Sequence, residues 1–287
     1  MLNEIPQRSA MRLTRRGRAS LIAMGVLVAA AAAVAVPLLL PDDGGVKKSQ
    51  ALTVPEGWRA GQVYEALDKA FGVPAGTTKK AVPKAGLKLP GDAGGNPEGY
   101  LFPATYPLDD KSTPAGLLSS MVNTANKKLN GSQVTAGADR DTVNPYQTLT
   151  IASIVEAEAA TKEDMGKMAR VIYNRLDRGM PLQMDSTIKF GLNRATLTTT
   201  TTTTKGTKGT SAENPYNTYV RMGLPPTPIA NPGAEAMKAA ISPPQGDWLY
   251  FVTVKPGDTR FTADFDEQQK NVAESNKLRT SGKPSSA

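Results

Sequence analysis

A chain of 287 residues with no cysteine and no histidine excludes thiolate chemistry, Ser-His-Asp and Cys-His catalysis, zinc–thiolate sites and histidine-ligated metals. With 39% hydrophobic residues it can bury a core, and 26 glycines and 22 prolines predict many turns. The net charge of +8 is uneven: residues 1–20 carry Arg8, Arg12, Arg15, Arg16 and Arg18 against Glu4, 21–40 carry none, and 41–287 carry 29 basic and 25 acidic residues, a balance that does not indicate a nucleic-acid surface.

Residues 21–40 read LIAMGVLVAAAAAVAVPLLL. Twenty uncharged residues span about 30 Å as a helix, the thickness of a bilayer's hydrocarbon core. Arginines precede the stretch and Asp42 and Asp43 follow it. The positive-inside rule then gives a cytoplasmic basic tail (1–20), a single transmembrane helix (21–40) and an extracytoplasmic remainder. A signal peptide cleaved near Ala33-Val34-Ala35 is the rival reading, although signal-peptide cores run to only about 7–15 residues.

Residues 41–50 form a polar linker. Leu52-Thr53-Val54 reads as a strand entering the turn Pro55-Glu56-Gly57; Val63, Leu67 and Phe71 then lie on one helix face, with Gly72 as its stop. Residues 77–97, rich in lysine, proline and glycine, read as a connection. Tyr100, Phe102 and Tyr106 mark a compact aromatic segment. Residues 113–129, 148–160 and 163–178 read as helices, the last with Met165, Met168, Ala169, Ile172 and Leu176 on one face and a stop near Gly179. Within 196–210, seven successive threonines and Lys-Gly pairs predict a mobile surface loop. Residues 214–233 are dense in turn formers, 234–240 form a short helix, and 248–254 (WLYFVTV) form the strongest strand, expected at the centre of a sheet.

Acid–base chemistry without histidine falls to a carboxylate of raised pKa, a lysine or a tyrosine. Glu156 and Glu158, two residues apart on a helix, point about 200° apart and cannot share a site. Glu158 falls about 20° from Ile151, inside the stripe of Ile154, Val155 and Ala159, whereas Glu156 falls about 140° away at its edge. A carboxylate on an apolar face loses solvation, so its pKa rises toward the range a general acid needs. A structural glutamate paired with Arg170 or Arg175 is the competing reading. Gln183, Asp185, Tyr216, Asn217 and Tyr219 offer the rings, amides and carboxylate that bind sugars. Metal-ligand clusters and phosphate loops are missing from the sequence, so no metal and no cofactor is expected.

Five segments carry a resemblance in order: EGYLFPATY (98–106), LTIASIVEAEA (149–159), RVIYNRLDRGMPLQMDSTIKFGL (170–192), PYNTYVRMGLPPTPIANPG (215–233) and the WLYFV strand. Together they resemble the endolytic murein transglycosylases, the YceG-like or MltG family. The resemblance implies an α+β fold: a small LysM-like subdomain at 51–95, then a mixed helix/sheet catalytic domain at 96–280. It implies that Glu158, the second carboxylate of the SI-[VI]-E-x-E motif, is the catalytic acid/base of a lyase. Such an enzyme cuts nascent peptidoglycan strands between N-acetylmuramic acid and N-acetylglucosamine and leaves 1,6-anhydro ends. Peptidoglycan strands, the membrane and cell-wall synthases are the implied partners. Two positions depart from the family pattern: Gln268 stands where a histidine is expected, and Ala159 where threonine is frequent. A peptidoglycan hydrolase, or an envelope scaffold that has lost catalysis, are the alternatives.

Overall fold

In the computed structural model, residues 50–129, 143–193 and 214–281 are described, all within one compact unit, Ser49–Ala287. The expected membrane helix at 21–40 and threonine-rich loop at 196–210 lie outside the described residues. Among the described residues no helix is long and apolar enough to cross a membrane.

The chain begins with β1 (Gln50–Thr53), which pairs antiparallel with β2 (Thr105–Leu108), Leu52 opposite Tyr106. Between these strands lie α1 (Ala60–Ala70) and α2 (Thr77–Ala81). Helix α1 buries Val63, Tyr64 and Leu67 at the spacing that its sequence advertises. Residues 77–97 are not a plain connection, because α2 and two 3₁₀ turns (Val82–Lys84, Gly91–Ala93) occupy much of the stretch. The cause is Asp68, a buried carboxylate on α1 that accepts hydrogen bonds from Gly76 N (2.6 Å), Thr78 N (2.8 Å) and Thr78 Oγ1 (2.6 Å). These donors open α2, so an ordered helix stands where composition suggested a tether.

Four helices build the core around the next segments: α3 (Pro114–Leu129), α4 (Pro145–Glu158), α5 (Lys162–Asp177) and α6 (Asp185–Gly191). Helix α4 starts earlier than its hydrophobic run, because Asn144 caps it: Asn144 Oδ1 accepts from Gln147 N (2.8 Å) and Gln147 Oε1 accepts from Asn144 N (2.9 Å). From Thr148 to Val155 every residue of α4 is buried, so the helix has no polar face. It packs against α5, α6 and α7 (Ala234–Ile241). Helix α5 buries the face read from its sequence and stops at Gly179, whose φ of 61° admits the left-handed turn after the last helical residues.

The strand expected at the centre of a sheet is instead β3 (Tyr250–Lys255) in a two-stranded hairpin with β4 (Asp258–Thr262). Most of its residues are only half-buried, and α8 (Phe265–Ser281) covers the hairpin. Gln268 Nε2 donates to Phe251 O (3.0 Å) and Ser275 Oγ to Thr253 O (3.1 Å). Gln268, at the position where a histidine was expected, therefore clamps α8 onto β3.

Candidate active site

Glu158 is the last residue of α4, and Ala159 turns the chain into extended conformation. Its Oε1 accepts the backbone N–H of Ser186, 2.9 Å away in the first turn of α6. The residue as a whole is only partly covered, but its carboxylate is desolvated. Burial pushes the pKa up, hydrogen bonds from Ser186 oppose that, Asp185 raises it further and Lys189 lowers it.

The helical period put Glu158 on an apolar stripe, but from Thr148 to Val155 α4 is buried all round and has no stripe. What survives is the angular separation. Glu158 reaches α6, whereas Glu156 turns the other way, its Oε2 accepting from Gly233 N (3.0 Å) at the start of α7. Burial raises the Glu156 pKa as well, with Glu56 adding to it and Gly233 and Lys162 opposing. Neither arginine considered as a partner is committed to Glu158. Arg170 Nε donates to Pro244 O (2.8 Å), and buried Arg175 donates to Leu249 O (2.7 Å) and Leu182 O (2.7 Å).

Two segments far apart in sequence are knitted beside Glu158. Gln183 N donates to Thr218 O (3.0 Å), Met184 N donates to Thr218 Oγ1 (3.0 Å), and the hydroxyls of Thr187 and Thr218 share a 3.0 Å hydrogen bond. This seam places Tyr219 on Asp185, its hydroxyl donating to Oδ1 at 2.7 Å. Burial, and then Asp185, push the Tyr219 pKa well above the ordinary phenol value, so it stays a neutral donor. Asp185, Tyr219 and Glu158 thus form one cluster.

The other expected residues separate. Gln183 is exposed and sits at φ 54°, a strained backbone for a side-chain-bearing residue. Asn217 is fully buried, its Oδ1 accepting from Tyr219 N (3.1 Å), so its amide shapes the turn and does not face the surface. Tyr216 lies at the far end of α6, packed at 61° against Phe190 with ring centroids 4.9 Å apart. It lines a cavity of about 680 Å³ with Arg59, Lys79 and Glu98. A second cavity, of about 470 Å³, is lined by Tyr146, Leu176 and Leu224, and Glu158 borders neither.

Sequence reading gave no role to Glu98 or Ser186. Glu98 is 6% exposed, and both its oxygens accept from Ala60 N (2.9 and 3.1 Å) at the start of α1. Burial pushes its pKa up to about 7, against the pull of the Ala60 and Gly99 amides and Arg59. Ser186 has a buried hydroxyl beside the Glu158 carboxylate, where with its own amide it helps to hold the Glu158 pKa down. Nothing in the spacing of either residue marks it; only the folded chain brings it to its partner.

A protein of Bacillus subtilis (strain 168) named endolytic murein transglycosylase is 37% identical over 175 residues, 60% of this chain and 46% of that protein. One of the same name from Streptococcus pneumoniae serotype 2 (strain D39) is 35% identical over 178 residues, 62% of this chain and 32% of that protein. The chain therefore spans less than half the length of these curated relatives. A crystal structure of a yceG-like protein from Listeria monocytogenes superposes with a TM-score of 0.65 at 26% identity, covering 78% of this chain and 76% of that one. The model of the YceG-like family matches residues 30–274, and on that match this chain belongs to the YceG-like family.

Proposed function

We propose that the chain is an endolytic lytic transglycosylase of peptidoglycan, a lyase in which Glu158 serves as both acid and base. The observation that carries this reading is the desolvated Glu158 carboxyl at the end of α4, oriented by the Ser186 amide. Relatives named endolytic murein transglycosylase support the substrate class. In the proposed reaction the protonated Glu158 gives its proton to the glycosidic oxygen as the bond from the muramic acid C1 breaks. The same sugar's 6-hydroxyl oxygen then bonds to C1, and its proton returns to Glu158. The products are a 1,6-anhydro end and a free 4-hydroxyl, with no water consumed and the acid regenerated.

Asp185 supports a second reading. It stands close enough to act on Glu158, and two carboxylates are what a glycoside hydrolase uses. Its engagement by Tyr219 favours the single-carboxylate route, in which Asp185 tunes Glu158. Mass spectrometry of purified strands digested by the full chain in detergent separates the two: anhydro ends are expected, and reducing ends would establish hydrolysis. Glu158→Gln keeps the volume and removes the transferable proton. It is expected to lower cleavage by about 10²–10⁴-fold, while Glu156→Gln costs far less.

The reading includes a single-pass anchor at 21–40 with residues 41–287 outside the cytoplasm, supported by the arginines before that stretch. A reporter fused after Ala287 is expected to be active only when exported, and a mature chain cleaved near Ala35 would remove the anchor. The LysM-like reading of 51–95 is supported by the strand β1 and the two helices α1 and α2 that follow it; the strand that pairs with β1, β2 at Thr105–Leu108, lies beyond that bound. Cell-wall synthases are the proposed neighbours at the membrane.

A further inference from the structure

Glu158 and Asp185 stand together at the head of α6, and the reaction proposed above needs a proton on the first of them. Asp185 opens α6, and its neighbour Ser186 gives its amide to Glu158 Oε1 at 2.9 Å. Two carboxyls so placed can pass one proton between them, and each then holds it for only part of the time. A proton resting on Asp185 is unavailable to a glycosidic oxygen seated at Glu158. Delivery from Glu158 therefore depends on a group that tells the two carboxyls apart.

The hydroxyl of Tyr219 makes that distinction by geometry. It donates to Asp185 Oδ1 at 2.7 Å, and a donor placed on a carboxylate favours its ionised form. The phenol is itself kept protonated by burial and by the carboxylate it serves. Its backbone arrives from a separate segment and is pinned on several sides. Tyr219 N donates to Asn217 Oδ1 (3.1 Å), and the preceding Thr218 takes Gln183 N on its carbonyl and Met184 N on its hydroxyl, both at 3.0 Å. Two cations face the cluster. Lys189 of α6 acts on the Glu158 carboxyl, and Arg175 of α5 acts on Tyr219. The Arg175 guanidinium also donates to the carbonyls of Leu249 and Leu182, at 2.7 Å each.

We propose that Tyr219 is a positioning residue: by donating to Asp185 it keeps the proton of the carboxyl pair on Glu158. The proposal rests on the transglycosylase reading for what that proton does, but its first test needs no cleavage. The full chain in detergent, labelled with ¹³C at glutamate side-chain carboxyls, is titrated by NMR, and the Glu158 signal is assigned by its loss in Glu158→Gln. Wild type is expected to titrate in one step. Tyr219→Phe keeps the ring and leaves the Thr218 seam untouched, and its Glu158 signal is expected to titrate in two steps, because the last proton now divides its time with Asp185. Adding Asp185→Asn to Tyr219→Phe is expected to restore one step, since an amide cannot take the proton. A single step in Tyr219→Phe overturns the proposal, as do two steps in wild type or two steps that persist with Asp185→Asn. The second test is kinetic. Tyr219→Phe is expected to lower kcat about tenfold with KM kept, the scale of one charge-assisted hydrogen bond. The loss is expected to fade toward acidic pH, where a second proton loads the pair, and to vanish in the Asp185→Asn background. An equal loss at every pH and in both backgrounds marks Tyr219 as a plain strut and overturns the proposal. Cleavage abolished by Asp185→Asn alone would sink the transglycosylase reading in favour of hydrolysis, and the carboxyl titration would still judge Tyr219 by itself.

Discussion

Among the described residues three buried or half-buried glutamates have raised pKa values, and their partners set them different tasks. For Glu158 burial is the main cause and Asp185 adds to it. In the role proposed for it Glu158 works as a general acid in its protonated form, so cleavage is expected to fall as pH rises through the Glu158 pKa. Asp185→Asn removes the like charge, and the alkaline limb of the kcat/KM profile is expected to move to lower pH. Glu98 gives the corresponding prediction for stability. Its folded pKa of about 7 exceeds its usual 4.5, so between those values the folded chain holds a proton that the unfolded chain has lost. The contribution is present below about pH 4.5 and is lost as pH rises toward 7, a change of roughly 3 kcal/mol. Thermal melts of Glu98→Gln are expected to show a flatter dependence over that window than wild type. Glu156, bonded to Gly233, holds the end of α4 against the start of α7.

Single elements depend on their ends. The reciprocal Asn144–Gln147 cap starts α4, the helix that delivers Glu158. Asn144→Ala is expected to cost about 1 kcal/mol in urea denaturation without moving buried groups, since Asn144 is exposed. Gly99 is a harder constraint. Its φ is 87°, and a Cβ there would meet the Pro228 ring at 2.6 Å and Leu149 at 3.2 Å. Gly99→Ala is expected to cost at least ~2 kcal/mol, because the left-handed backbone and the backbone-anchored proline must both yield. The faces of α1 and α5 and the stop at Gly179 were legible in the sequence, because helical period and a left-handed glycine are local properties. Helix α2 was not, because its cap comes from Asp68, eight and ten residues upstream of Gly76 and Thr78.

At the scale of the molecule, single polar side chains join distant segments. Asn231 takes Leu101 N on its Oδ1 (2.8 Å) and donates Nδ2 to Trp58 O (2.8 Å), tying three parts of the chain together. Arg175 does the same for α5, β3 and the approach to α6, with its guanidinium 5.4 Å from the centre of the Tyr250 ring. Arg175→Leu leaves the carbonyls of Leu182 and Leu249 without this donor. It is expected to destabilise the chain by about 3 kcal/mol or more, read as a lower urea midpoint with an unchanged slope.

The sequence by itself determined the helices with a regular apolar period, the exclusion of cysteine and histidine chemistry, and the opposed directions of Glu156 and Glu158 around their helix. Composition and the 3.6-residue period need no knowledge of the rest of the chain. Tertiary structure decided everything that rests on contacts between remote residues. It turned the supposed apolar stripe of α4 into a helix buried all round, and it made the WLYFVTV run part of a two-stranded hairpin. It drew Asp185 and Tyr219 together through Thr218 and left Asn217 inside a turn. It also brought Glu98 to the first amide of α1 and Ser186 to Glu158. Desolvation and hydrogen bonding across 28 or 38 positions depend on where the backbone returns, which no local pattern encodes.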